Sequence, residues 1–258
     1  MTASTDVFPS PRVAPNLRNA FGGVARLTVR RMLVLNQLWA LLVVTAVTGL
    51  FAWAAHHKAG FEGWVVDFYL SFFLPLLAFS SASGAIRDDL RPASSDYLYL
   101  RPLPRWAYAG FKYVTHVCVT QLTCLAPFAA IVGVGLFYHR LPQAGHVPVL
   151  LLGQILVIVA ASSFGFLCGM LTSRPVVLAL IYGGVVEGGI GQIPTQLSRL
   201  SMLRQVKNFV EGLTGEAETL GSPLSAVLVI LVFSAATLAM AAVLLHLREF
   251  SGSRGKES

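Results

Sequence analysis

Six long apolar runs constrain this sequence more than any other feature in it. A helix needs about 20 apolar residues to cross a hydrocarbon core about 30 Å thick. Residues 33–55, 64–83, 113–138, 147–172 and 224–247 reach or approach that length, and 175–190 forms a shorter, glycine-rich run. Charged residues make up only 12% of the chain and hydrophobic ones 55%, whereas soluble domains carry about 25% charged residues. Too few polar side chains remain to cover a water-facing surface. The expected fold is all-α, a polytopic membrane protein with six transmembrane helices.

The net charge of +7 raises the question of nucleic acid, but the basic residues lie between apolar runs rather than on one polar face. No nucleic acid is expected as a partner. In membrane proteins, Lys and Arg collect in cytoplasmic loops. With six spans, fourteen of the basic residues fall on one side and five on the other. That bias places both termini in the cytoplasm of a cell-membrane protein, the inner membrane in a bacterium. The chain then reads as one transmembrane domain over 1–258. It has a cytoplasmic tail and interfacial helix (1–32), a six-span core (33–247), a cytoplasmic loop (84–112) and a short tail (248–258).

Two further segments have helical periodicity without the apolarity to cross. In 16–32, Leu17, Phe21, Val24 and Thr28 share one face and Arg18, Arg26 and Arg30 another. Such a helix rests in the cytoplasmic interface with its arginines among lipid headgroups. In 193–213, Leu197, Leu200, Leu203, Val210 and Leu213 recur at near-helical spacing, opposite Arg199, Lys207 and Glu211. Pro194 suits its first turn. Topology puts this helix on the outer surface, and the short fifth run ending near Glu187 suggests a bend there. Glu187, Pro194 and Arg199 are the candidates for an outer gate.

Covalent and metal chemistry find little support. Near the C-terminus, "GSRGKES" has Phe250 where the first glycine of a GxxxxGK phosphate loop belongs, and Glu257 where Ser or Thr belongs. "SASG" (81–84) is similar to a GxSG serine motif, but Ser81 stands where the first glycine belongs, and a nucleophile there would also need a base such as His116 or His246 facing it. His56, His57, His139 and His146 would all lie at the outer face, where the adjacent pair points about 100° apart in a helix and chelates poorly. Asp67 reads equally as an intramembrane ion site and as a residue reaching the interface. Cys118, Cys124 and Cys168 sit inside apolar runs without metal spacing. No metal site and no catalytic residue is expected.

The segment 84–112 holds eight formal charges in this otherwise apolar chain: Arg87, Asp88, Asp89, Arg91, Asp96, Arg101, Arg105 and Lys112. A loop that only hugged the membrane would be mostly basic. Mixed signs on a scaffold stiffened by Pro92, Pro102 and Pro104 suit a protein partner with paired charges.

The segment resembles the cytoplasmic loop of ABC type-2 permeases, the membrane subunits of bacterial ABC exporters. The matching features are Gly84 and Ile86, the acidic Asp88-Asp89, "YLYLRPLPR" (97–105), Tyr108 and Lys112. The six spans, the basic lead-in helix and "IPTQLSRLSML" (193–203) extend the similarity along nearly the whole chain, while "PASSD" (92–96) departs from the Gly-Thr pair that relatives often carry.

The resemblance implies a transport subunit without its own catalytic site. A separate ABC ATPase subunit would bind ATP and Mg²⁺, so no cofactor belongs to this chain. Arg87, Asp88, Asp89, Arg91, Asp96, Arg101 and Arg105 would couple to it, and a second permease copy or sister permease would complete the pathway. Two other readings stay open. One is an integral-membrane lipid-modifying enzyme using Asp88 and Asp89 with a metal, and the other a non-transporting anchor for an ATPase.

Overall fold

The computed structural model describes residues 17–32, 35–57, 60–90, 104–140, 145–172, 174–187, 201–215 and 222–254. Every regular element among them is helical. In chain order these are α1 (Leu17–Met32), α2 (Leu35–Ala55), α3 (Phe61–Asp89), α4 (Arg105–Phe137), α5 (His146–Leu171), α6 (Pro175–Glu187), α7 (Met202–Thr214) and α8 (Pro223–Arg254). Four of them, namely α3, Trp106–Phe137 of α4, α5 and Pro223–Leu247 of α8, are long and apolar enough to cross a membrane, with mean hydropathies from 1.6 to 2.7. They are compatible with a multi-pass membrane protein. The apolar stretches described in α2 and α6, Trp39–Ala55 and Pro175–Glu187, are shorter.

Hydropathy locates where lipid ends, not where a helix ends. α3 continues beyond residue 83 to Asp89, and α4 begins at Arg105 rather than at residue 113. Both ends of the expected 84–112 loop are therefore helical. Polar residues such as Arg87 and Asp88 prolong a helix readily once they reach water.

α3 is not uniform. Its Val65–Phe73 part winds wider, and the Leu74 N–H reaches back five residues to the Tyr69 carbonyl. Pro75 follows at once. Its ring lacks an N–H and crowds the carbonyl four residues earlier, and a wider turn just before it carries that mismatch without ending the helix.

α5 is the centre of the bundle. α3 packs most closely against it, α8 lies along it too, and α1 and α2 pack on α4. A Cβ on Gly165 would stand 2.7 Å from the Phe79 carbonyl oxygen, and one on Gly169 2.7 Å from that of Ser83. The GFLCG spacing thus lets α3 and α5 touch backbone to backbone. In lipid such packing replaces apolar transfer as the main attraction between helices. Two bonds tie neighbouring helices to α5: Tyr69 Oη of α3 donates to Gln154 Oε1 at 2.9 Å, and Tyr113 Oη of α4 to the Val159 carbonyl at 2.8 Å. The core falls into two clusters, one around Tyr69, Phe128, Ile158, Val206 and Ile230, the other around Ile86, Tyr113, Phe166, Met170 and Leu245.

Neither amphipathic segment lies apart from the bundle. α1 turns Val24 and Thr28 inward, and Phe21 meets Phe111 of α4 edge-on at 5.3 Å. Ser201 caps α7, accepting from the Arg204 N–H, and Gly215 ends it with φ 76°. Rather than lying flat on a surface, α7 is seated against α3, α5 and α8. It buries Met202, Gln205, Val206, Phe209 and Val210. Gly153 of α5 makes the room, since a Cβ there would come within 2.9 Å of Val210. The first part of the expected 193–213 helix, with Pro194 and Arg199, lies outside the described residues.

Candidate functional site

Charged side chains gather at the two ends of the bundle. At the end where α3 stops and α4 starts, Asp89 is buried and accepts from both Lys112 Nζ and Tyr108 Oη. Tyr108 and Lys112 are four residues apart on α4, hence on one face. A carboxylate in the last turn of a helix opposes the helix dipole, whereas a cation there is favourable. Lys112 answers both demands, because it also donates to the Ala85 carbonyl at 2.7 Å. The clamp joins the two helices that bracket residues 91–103.

The expected coupling residues therefore divide. Arg87 and Asp88 are exposed on the last turn of α3. Asp89 is turned inward, because Lys112 would otherwise be a buried, uncompensated cation. Arg91, Asp96 and Arg101 lie outside the described residues, and Arg105 opens α4. Beside this junction, α1 presents Arg18, Arg26 and Arg30 on its exposed side.

Away from this junction, toward the other end, Glu187 is the last described residue of α6, and its carboxylate sits on the first turn of α7. The Met202 N–H donates to Oε1 at 3.0 Å, the Leu203 N–H to Oε2 at 3.3 Å, and the Ser201 hydroxyl also donates to the carboxylate. Farther along α7, Lys207 Nζ meets Asp67 Oδ1 at 2.9 Å and Glu211 Oε1 at 3.7 Å. The hydrogen bond with Asp67 holds the Lys207 ammonium above the ordinary lysine range. Asp67 is thus a partner of α7. Glu62 at the start of α3 is buried against His146 Nδ1 at 2.8 Å, a pair that spacing within one run could not have revealed.

The Ser83 hydroxyl donates to the Ser80 carbonyl at 3.1 Å, and it is Ser81 Oγ that lies 3.4 Å from His116 Nε2. The Ser81 hydroxyl donates to the Ala78 carbonyl at 3.1 Å, and His116 is fully buried between Ser81 and Thr120. The contact is one of packing, closed to a substrate. His56 and His57 stack at 3.6 Å. Among the described residues no three His, Cys, Asp or Glu side chains converge as metal ligands would.

No protein-family model matches the chain, and no curated protein sequence matches it.

Proposed function

We propose that the chain is the permease subunit of an ATP-driven ABC exporter, held in the cell membrane by six spans (α2, α3, α4, α5, α6 and α8), with both termini cytoplasmic. Residues 91–103, flanked by the exposed Arg87 and Asp88, seat in a separate ATPase subunit that supplies ATP and Mg²⁺ chemistry. α1 lies in the cytoplasmic interface with Arg18, Arg26 and Arg30 toward lipid headgroups, and a second permease copy or sister permease completes the pathway.

The observation that carries this reading is the buried Asp89–Lys112–Tyr108 clamp. A loop that only joins two helices needs no such fixture, whereas one that transmits force needs both of its roots bound together. The same clamp weighs against a lipid-modifying enzyme built on an Asp88–Asp89 metal pair, since the Asp89 carboxylate is committed to Lys112.

Co-purification tests the reading. The chain should come out of mild detergent with an ATPase, and reversing both exposed charges (Arg87→Glu with Asp88→Lys) should release that ATPase while the permease stays folded. Retention of the partner by the reversed variant would remove Arg87 and Asp88 from the interface. A chain isolated alone that turns over lipid with Mg²⁺ would replace the exporter with the enzyme. Transport activity in proteoliposomes, set beside ATPase binding alone, separates a permease from an anchor.

A further inference from the structure

The described part of α6 is shorter than the hydrocarbon core is thick. Its eight residues of α-helix and five of wider winding rise about 20 Å at most, against about 30 Å of hydrocarbon. α5, with 26 residues, rises about 39 Å. α5 and α6 pack on each other, with the Phe164 and Tyr182 ring centres 4.6 Å apart. Glu187 therefore ends about halfway along α5, well below the level where α5 begins. The first turn of α7 is at that same depth, and α7 climbs from there until Val210 packs over Gly153 and Lys207 reaches Asp67.

A charged carboxylate at membrane depth is costly unless donors surround it. The unsatisfied N–H groups and positive dipole end of a helix offer such donors. Glu187 and α7 satisfy each other, through two backbone N–H groups and the Ser201 hydroxyl. Neither can be withdrawn alone without leaving bare polar groups in an apolar surrounding. A further polar tie on α7, Lys207 to Asp67, is largely exposed, and Tyr182 of α6 also bonds the Glu187 carboxylate. The buried face of α7 adds to the hold.

We propose that Glu187 is a latch: its carboxylate on the first turn of α7 keeps that helix closed over the core between α3, α5 and α8, and release of this contact lets α7 lift and opens the bundle on that side. The proposal rests on the bundle crossing a membrane, not on the ATPase partner or on which way the bundle faces.

The test uses full-length protein in vesicles, with Cys118→Ser, Cys124→Ala and Cys168→Ala as background. A cysteine at Val206 reports on the buried face of α7, and one at Ile131 reports on the same core cluster from α4, a helix with little direct contact to α7; both residues are about 1% exposed. An impermeant maleimide is applied to right-side-out and inside-out vesicles. With Glu187 intact, Val206→Cys should label slowly. Glu187→Gln, which keeps the shape and loses the charge, should speed its labelling about ten- to a hundredfold, the range expected when bonds to a charged group are lost. Ile131→Cys should stay protected.

Unchanged labelling at position 206 overturns the latch. So does equal exposure at 206 and 131, which would make Glu187 a support of the whole fold. Accelerated labelling confined to position 206 supports the latch from whichever side it occurs. If it occurs from the cytoplasmic side, the latch stands and the topology of the proposed function falls.

Discussion

The two ends of the bundle are tied by different kinds of ion pair. At the α3–α4 junction, the side chains of Lys112 and Asp89 are 6% and 9% exposed, and Tyr108 adds a third bond. At the α7 end, the side chains of Lys207 and Asp67 are 42% and 65% exposed. An exposed pair is worth roughly 0–1 kcal/mol, whereas breaking a buried one by removing a partner costs about 3–5 kcal/mol. The junction is thus built to stay assembled while something pushes on it. At the α7 end, packing and the Glu187 contact hold a helix that the surface pair barely restrains. The proposed exporter would need such an asymmetry, with a stiff handle at one end and a movable element at the other.

The largest effect should come from breaking the stiff end. Lys112→Met leaves the buried Asp89 carboxylate without its ammonium partner, and should lose about 3–5 kcal/mol of stability. Unfolding by denaturant in detergent measures it. Asp89→Asn added to Lys112→Met removes the orphan charge and should restore most of the loss. If the double variant is no better than the single one, the clamp is not a matched pair.

A smaller loss should follow at the α3–α5 contact. Gly165→Ala places a methyl carbon 2.7 Å from the Phe79 carbonyl oxygen, with backbone on the far side that cannot rotate away. Forcing the two helices apart should cost about 1–3 kcal/mol. Gly22→Ala on α1, where a Cβ meets nothing within 4 Å, is the control and should be neutral or slightly stabilising through helix propensity.

These two ends were not equally legible in the sequence. The apolar runs announce α3, α4, α5 and α8, because lipid imposes length and apolarity on each helix separately. The spacing of Gly165 and Gly169 signals a close helix contact, although not which helix supplies it. Asp89 could not be told from Asp88, since both read as loop charges. Their fates differ because α3 continues past its apolar run and only then does its face decide which carboxylate turns inward. Lys112 looked like part of the same polar segment, yet the helix of α4 carries it back to Asp89. Glu187 stood out as an acid in an apolar run, but its partner is the first turn of α7, and a chain read along its length does not reveal which distant N–H groups will answer a carboxylate. α7 itself was visible as an amphipathic pattern. Its seat within the bundle depends on Gly153, a residue with no periodicity of its own.

Within the bundle, the Tyr69–Gln154 bond offers a finer measure. It is buried and 2.9 Å long, but hydrogen bonds between membrane helices average only about 0.6 kcal/mol. Tyr69→Phe keeps the ring packing on Phe128 and should lose about that much. A loss several times larger would show that Gln154, deprived of its partner, disturbs α5.

The smallest effect belongs to the exposed pair, where pH supplies the reading. The Lys207 ammonium is held above its usual pKa of 10.5 chiefly by its hydrogen bond with Asp67. A cation whose pKa is higher in the folded state contributes its full stability below the unfolded value and loses it as pH rises through the folded value. The contribution should therefore be constant across neutral pH and fade above about 10.5, within the 0–1 kcal/mol of a solvent-screened pair. Lys207→Met should cost no more than that at pH 7 and should flatten the alkaline decline between pH 10 and 12. It should also weaken with salt in the unmodified protein, as exposed pairs do. A salt-insensitive loss above 2 kcal/mol would mean that Lys207 is as firmly placed as Lys112, and the contrast between a stiff end and a movable one would fail at that point.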